Sequence, residues 1–373
     1  MKAESTFSLK DELFNSEKVE YLAGLISDAH PKFPVATFRR EVIEKFPELE
    51  LKERIVHITR CLENHLPDSF SQSCRILLKS LPPELDPNLS DNDFGDFIFA
   101  PVSHFIVLNG CTKKQLDRSL AALREITKRF SAEDAIRYFI NQFPGETFAF
   151  LEDCSLDRNY HVRRLASEGT RPKLPWSQKL TTPYEKAVPI LEELHKDPTR
   201  YVTRSVANHL NDISKLDPEA VISLLKKWRK QKQQSGKELE YITRHALRTL
   251  VKSAHPGALS LLGFPPNPDV SVERFFIENK RVKIGGAADF QLHLESRKKQ
   301  NLLIDYYMEF PGGRGRIFKW KQYKAGSGES VELNKRHPMK LMTTRALVPG
   351  AYRVTLQING KRLDTLSFDL CEP

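Results

Sequence analysis

The order of apolar and polar residues changes its period once along the chain. Up to about residue 262, apolar positions recur at spacings of three and four, as they do where one stripe of a helix faces a core. TFRREVIEKF, the run from Lys52 to Leu66, the run from Lys113 to Phe130, and AEDAIRYFINQF all carry this pattern. Thr112 ahead of KKQLDRSL and Ser131 ahead of Glu133 and Asp134 are N-cap residue types, and the two acids sit where the helix dipole favours them. Pro82-Pro83, Pro144-Gly145, Pro172 and Pro256-Gly257 mark joints. Beyond Leu262-Gly263-Phe264-Pro265-Pro266 the period drops to two. DVSVERFFI, KIGGAADFQLHLES, LLIDYYMEF, GRIFKW, SVELNK, AYRVTLQING and RLDTLSFDL predict seven short strands, and Asn359-Gly360 predicts a tight hairpin. The chain is therefore expected to be an α + β multidomain protein. An all-α domain would occupy residues 1–263, and an immunoglobulin-like β-sandwich residues 264–373.

Three of the helical segments are related to one another. NYHVRRLASE, RYVTRSVANH and EYITRHALRT place Val162, Val202 and Ile242 at intervals of 40, with Arg164, Arg204 and Arg244 two residues later and Ala166, Val206 and Ala246 in a third column. Forty residues is one helix pair with its turns, so the helical domain predicts a HEAT-like repeat solenoid. The apolar columns read as contacts between neighbouring repeats. The arginine column has two readings: a basic face suited to a phosphate backbone, or pairing with carboxylates on the same helices, for which Glu168 stands four residues after Arg164.

Composition sharpens this picture through charge. The net charge of +10 is unevenly spread: residues 1–154 carry 19 basic against 25 acidic side chains, residues 155–255 carry 20 against 11, and residues 264–373 carry 19 against 12. A basic surplus confined to the later part of a chain suits a polyanion, nucleic acid first, although a solvated positive surface has the same composition. Five cysteines with no CxxC spacing argue for reduced thiols and against a zinc ribbon or iron–sulfur cluster; no metal or cofactor is expected. No apolar run approaches membrane-spanning length, and the opening MKAESTFSLKDELF lacks the apolar stretch of a signal peptide, so the chain reads as cytoplasmic. In the β-domain, the loop Pro311-Gly-Gly-Arg314-Gly-Arg316 is either a basic finger for a groove or a solvated hairpin tip.

The densest chemical signal is His161 to Trp176, HVRRLASEGTRPKLPW. A helix runs through Leu165 and Ala166, Gly169 is placed as its C-cap, and Pro172 and Pro175 prevent continuation. Glu168 then lies in the last turn, where the dipole disfavours an acid. It is either an ion-pair partner of Arg164 or a carboxylate set in a basic DNA-binding face.

This stretch, with SAEDAIR before it and RSVANHLNDISKLDPE after it, resembles the signature of the AlkC family, DNA glycosylases with HEAT-like repeats that remove alkylated bases. The segments from VKIGG to TTRALVPGAYRVTLQINGK resemble the immunoglobulin-like domain appended in that family. The resemblance implies a monofunctional glycosylase that excises 3-methyladenine and 3-methylcytosine without extruding the base fully. It places catalytic carboxylates at Glu133, Glu168 and Asp212, an active-site tryptophan at Trp176, and the motif's basic pair at Arg163 and Arg164. Arg171 matches as well, while Lys173 stands where the family has arginine, which keeps charge and loses a guanidinium. Its implied partner is double-stranded DNA containing alkylated bases, bound by a monomer.

The chemistry suits such a set. A base cationic within DNA leaves as a neutral molecule without a general acid, so the protein need only stabilise positive charge on the deoxyribose and activate water, which carboxylates do. Plainer readings stand beside these: Glu133 as an acid at a helix start, Asp212 as a polar helix-end residue, Trp176 as a core residue. A HEAT-repeat scaffold that binds nucleic acid without catalysis, or a protein–protein adaptor, would share the repeats and the charge.

Overall fold

The computed structural model describes residues 8–86, 94–340 and 347–372. Its helices run in chain order as α1 (Leu9–Leu13), α2 (Ser16–Ala29), α3 (Val35–Lys45), α4 (Leu51–His65), α5 (Phe70–Lys79), α6 (Ala100–Gly110), α7 (Leu116–Thr127) and α8 (Glu133–Gln142). They continue as α9 (Pro144–Cys154), α10 (Tyr160–Gly169), α11 (Val188–Leu194), α12 (Arg200–Ile213), α13 (Pro218–Gln231), α14 (Gly236–Ala246), α15 (Arg248–Lys252) and α16 (Pro256–Leu261). Eight strands follow: β1 (Val270–Ile277), β2 (Arg281–Lys283), β3 (Ala287–Ser296), β4 (Gln300–Glu309), β5 (Gly315–Ala325), β6 (Glu329–Pro338), β7 (Gly350–Ile358) and β8 (Lys361–Cys371).

The contacts gather into two compact units, Met1–Ile213 with Lys232–His245, and Ser214–Gln231 with Ala246–Pro373. Helix gives way to strand between Leu261 and Val270, so the second unit holds α13, α15 and α16 as well as the sheets. The reason is a shared core: Leu259 of α16, Phe264 and Leu303 of β4 bury one another.

In the first unit α10 packs on α8, α9 and α12. The predicted repeat columns Val162, Val202 and Ile242, and Ala166, Val206 and Ala246, are fully buried. The arginine column does not share one environment. Arg164 is buried, Arg204 is half-buried, and Arg244 is exposed and paired with Glu240 on its own helix at 2.7 Å.

Two local expectations change. Ser131 does not cap α8; the N-cap is Ala132, without a side-chain bond, because the Ser131 hydroxyl instead accepts from Arg164 Nη1 at 2.5 Å. Gly169 is not a left-handed C-cap but the last helical residue of α10, with Thr170 as the cap. Glycine is required there by close approach: a β-carbon would stand 2.5 Å from Ile136 Cγ2 on α8.

In the second unit the sheets are β1-β3-β6 and β2-β8-β7-β4-β5, antiparallel except for the β2–β8 pair. Phe290 of β3 shares one core with Tyr306, Tyr352 and Phe368 of the larger sheet, so the two sheets form a sandwich. Seven strands were expected and eight are present among the described residues, since Arg281–Lys283 is a three-residue strand too short and too charged to show a period. The predicted hairpin is there: Asn359 and Gly360 have φ of 47° and 83°, both positive as a type I′ turn requires. Its tip is buried rather than solvated. Asn359 accepts from Leu303 N at 2.6 Å and donates to the carbonyls of Pro265 and Asn301.

Among the described residues, no helix is long and apolar enough to cross a membrane. Cys61, Cys74 and Cys154 are buried free thiols, and Cys111 and Cys371 are partly exposed ones.

Candidate active site

The site lies in the first unit, where the first turn of α8, the last turn of α10 and the C-terminal half of α12 converge. An apolar face on each helix buries Ile136, Leu165 and Leu210, and this packing turns Glu133, Glu168 and Asp212 toward a common centre.

Two arginines join the three carboxylates into a chain. Arg164 Nη1 lies 3.6 Å from Glu133 Oε2, an ion pair beyond hydrogen-bond reach, and Arg164 Nη2 lies 3.8 Å from Glu168 Oε2. Arg171 Nη1 donates to Glu168 Oε1 at 2.6 Å, and its Nε and Nη2 both reach Asp212 Oδ2, at 2.9 and 2.8 Å. Ser205 Oγ donates to Glu168 Oε2 at 2.6 Å. Only Glu133 keeps appreciable exposure, 20% of its side chain.

Burial pushes the Glu168 carboxyl up, but the positive charges of Arg164 and Arg171 and the hydrogen bonds from Ser205 and Arg171 outweigh it and hold the group below the ordinary carboxylate range. This resolves the unfavourable placement of an acid at a helix C-terminus: local charges stronger than the dipole stabilise it. Burial likewise works against the charge on Arg164 and Arg171, and their carboxylate partners keep both firmly protonated. The Arg164 guanidinium also lies against two rings that meet edge to face, with Cζ 4.4 Å from the centroid of Tyr201 and 5.3 Å from that of Phe94.

Five of the residues singled out from the sequence thus meet: Glu133, Arg164, Glu168, Arg171 and Asp212. Arg163 faces elsewhere. It grips Asp197 between α11 and α12 through Nε at 2.5 Å and Nη2 at 3.2 Å, and its Nη1 donates to the Asp157 and Arg158 carbonyls. Lys173 and Trp176 project from the loop after α10, both exposed. Trp176 is 74% exposed at a φ of 63°, the left-handed region, and so is not a core residue. Arg314 and Arg316 are exposed at the start of β5, beside a tight turn in which Gly312 and Gly313 have positive φ.

Sequence reasoning missed Ser205, Tyr201 and Phe94, which complete the surroundings of Glu168 and Arg164, and Arg137, a fully buried arginine on α8. Arg137 ends the SAEDAIR segment, and an arginine among the apolar positions of an amphipathic helix was the available signal. His209 was missed too. It is fully buried, donates through Nδ1 to the Ser167 carbonyl at 3.0 Å, and burial pushes it down to about 3, so it is neutral.

Fold and site together define a helical-array protein with a buried arginine–carboxylate cluster, followed by a two-sheet β-domain. The family described as "Uncharacterised protein YhaZ, C-terminal Ig-like domain" matches residues 271–372. The Bacillus subtilis (strain 168) protein described as "Uncharacterized protein YhaZ" is 31% identical over 369 residues, 96% of this chain and 99% of that protein. The Pseudomonas fluorescens alkylpurine DNA glycosylase AlkC, solved bound to DNA containing an abasic site analog, aligns over 98% of this chain and 100% of its own with a TM-score of 0.86 and 31% identity. The chain belongs to the AlkC/YhaZ family, and its β-domain is immunoglobulin-like.

Proposed function

We propose that this protein is a monofunctional DNA glycosylase that hydrolyses the N-glycosidic bond of cationic alkylated bases, 3-methyladenine and 3-methylcytosine, in double-stranded DNA. The observation that carries the reading is Glu168, a buried carboxylate kept ionised by two arginines and a serine hydroxyl. The full-length likeness to a DNA-bound alkylpurine glycosylase supports it.

The steps follow from the charges. In the lesion the base is already positive, so the C1′–N bond breaks with its electron pair passing to the base, and no proton need be supplied. Positive charge then grows on the deoxyribose, where the ionised Glu168 carboxylate, with Asp212 beside it, stabilises it in a site that excludes most water. Water adds to C1′ and gives up a proton to a carboxylate. Glu133, whose side chain keeps 20% of its surface exposed, is the carboxylate of the three best placed to meet that water. Trp176 packs against the sugar or the lesion, as an exposed indole on a proline-flanked loop is suited to do. Lys173, Arg204 and Arg244 in the HEAT-like repeat domain, and Arg314 and Arg316 in the β-domain, supply basic side chains for phosphates, while Arg163, bonded to Asp197, supports α10 from behind. The protein acts in the bacterial cytoplasm as a monomer and needs no cofactor. Carboxylates approaching from the sugar side are compatible with a base left partly stacked.

The test is incubation of the protein with duplex DNA containing 3-methyladenine, followed by measurement of free base and alkali-labile abasic sites. Release well above the spontaneous rate is expected. DNA binding with no such release would overturn the enzyme reading and leave a nucleic-acid-binding scaffold, for which the same ion-paired cluster would be structural.

A further inference from the structure

Arg137 feels the carboxylates of Asp134, Glu168 and Asp212 only from beyond ion-pair distance. It is fully buried on α8, one turn after Glu133, and forms no ion pair among the described residues. Burial pulls its guanidinium down to about 10, so the protein tolerates a costly buried ion. What that ion holds is main chain. Nη1 donates to the carbonyls of Gly169 at 3.0 Å and Arg171 at 2.7 Å, and Nε donates to the carbonyl of Gln178 at 2.7 Å. These acceptors are the two ends of one loop, the loop that carries Arg171, Lys173 and Trp176.

Two further tethers act on the same segment. Asn141, one turn beyond Arg137, donates to the Lys179 carbonyl at 2.9 Å and accepts from Thr181 N at 3.0 Å. Lys52 on α4 donates to the Trp176 carbonyl itself. Between these fixed points Trp176 adopts a left-handed backbone conformation that a residue with a bulky β-substituent rarely takes, and such strain persists only where the surroundings impose it.

We propose that Arg137 is the positioning residue of the Trp176 loop: by gripping both ends through main-chain carbonyls it sets the span of the loop and thereby the place of the indole at the bound nucleotide. The second half of this statement rests on the glycosylase reading; the first does not. A guanidinium is suited to the task because its fixed fork can bond carbonyls on two chain segments at once, which an ammonium on one flexible stem cannot do to the same effect.

The test compares Arg137→Met, Arg137→Lys and Asn141→Ala in the full chain. Trp176 emission anisotropy, obtained by difference from Trp176→Phe, reads loop order; single-turnover excision of 3-methyladenine and affinity for undamaged duplex read function. Arg137→Met is expected to lower the Trp176 anisotropy and to slow excision on the order of 10–100-fold, with affinity for undamaged DNA changed by less than about twofold. Arg137→Lys should recover part of both losses. Combined with Trp176→Ala, Arg137→Met should add little to the loss caused by Trp176→Ala alone, because both act through the indole. A folded Arg137→Met with wild-type anisotropy, or fully additive losses, overturns the proposal. Should Arg137→Met not fold, unchanged anisotropy in both Arg137→Lys and Asn141→Ala overturns it equally. If the wild-type protein releases no base, the glycosylase reading fails, while anisotropy still decides whether Arg137 orders the loop.

Discussion

Arg171 holds Asp212 by two nitrogens on a single oxygen, Nε at 2.9 Å and Nη2 at 2.8 Å from Oδ2, and this leaves its third nitrogen for Glu168. One guanidinium thereby bridges two buried carboxylates and helps hold Glu168 below the ordinary carboxylate range. Arg171→Lys cannot make both contacts, and Arg171→Met leaves two buried carboxylates without the counter-charge they share. Arg171→Met is expected to cost about 3–5 kcal/mol in urea unfolding. Both variants should lower excision, the methionine variant on the order of 100-fold or more. Wild-type single-turnover rates in Arg171→Met would remove Arg171 from the chemistry.

Glu168→Gln should leave the fold and affinity for DNA in place and lower base release on the order of 100–10,000-fold. The pH profile separates this carboxylate from an ordinary one. Its group in the folded protein is held below the usual range, so the active, ionised form persists as pH falls through the ordinary glutamate value of about 4.3. Excision corrected for spontaneous loss should be level from neutral pH down to that value and fall only below it. The stability that the Glu168 charge contributes follows the same direction: present above the unfolded value, lost as pH falls through the folded one. An acid limb centred well above pH 5 in wild type would contradict the assignment.

Trp176→Gly separates function from stability. Glycine adopts a φ of 63° without steric cost, and the indole it replaces is 74% exposed. The melting temperature should therefore not fall, while excision drops by on the order of tenfold or more. A clear loss of melting temperature would show instead that the indole packs against the protein in solution.

In the β-domain, Asp305 is buried with Oδ1 unbonded, and burial raises it to about 6 despite Lys319 and a hydrogen bond from the Trp320 main chain. The folded state then holds a proton that the unfolded chain releases above about 3.8, so the residue destabilises increasingly as pH rises through that window and fully above it. Asp305→Asn should raise stability by on the order of 2 kcal/mol at pH 7 and change little near pH 3.5. Chemical denaturation at the two pH values checks this, and an equal effect at both would show that charge is not the cause.

Much of this protein was legible in its sequence because period and composition report burial directly. The switch from a three-to-four spacing to alternation marked where helices end, and the columns through Val162, Val202 and Ile242 marked buried positions. Glu168 was legible for a different reason: an acid in the wrong place on a helix needs partners, and it has them. What escaped notice was set by distant approach. Ser205 is an ordinary helical serine until α12 is laid on α10, and Gly169 looks like a helix terminator until Ile136 is placed 2.5 Å from its would-be β-carbon. Ser131 has the composition of a cap, but an arginine 33 positions later claims its hydroxyl. Local rules assume no such competitor.

The buried tip of the β7–β8 hairpin bears on how the β-domain is made. Asn359 closes on Pro265 and Asn301, 94 and 58 residues earlier in the chain, and β8 completes the larger sheet by pairing with β2. During synthesis the earlier strands emerge long before the hairpin that seals them. Until that hairpin arrives, β2 has no partner in the larger sheet, β4 is paired on one side only, and the carbonyls of Pro265 and Asn301 lack Asn359, so the β-domain is completed by its last two strands.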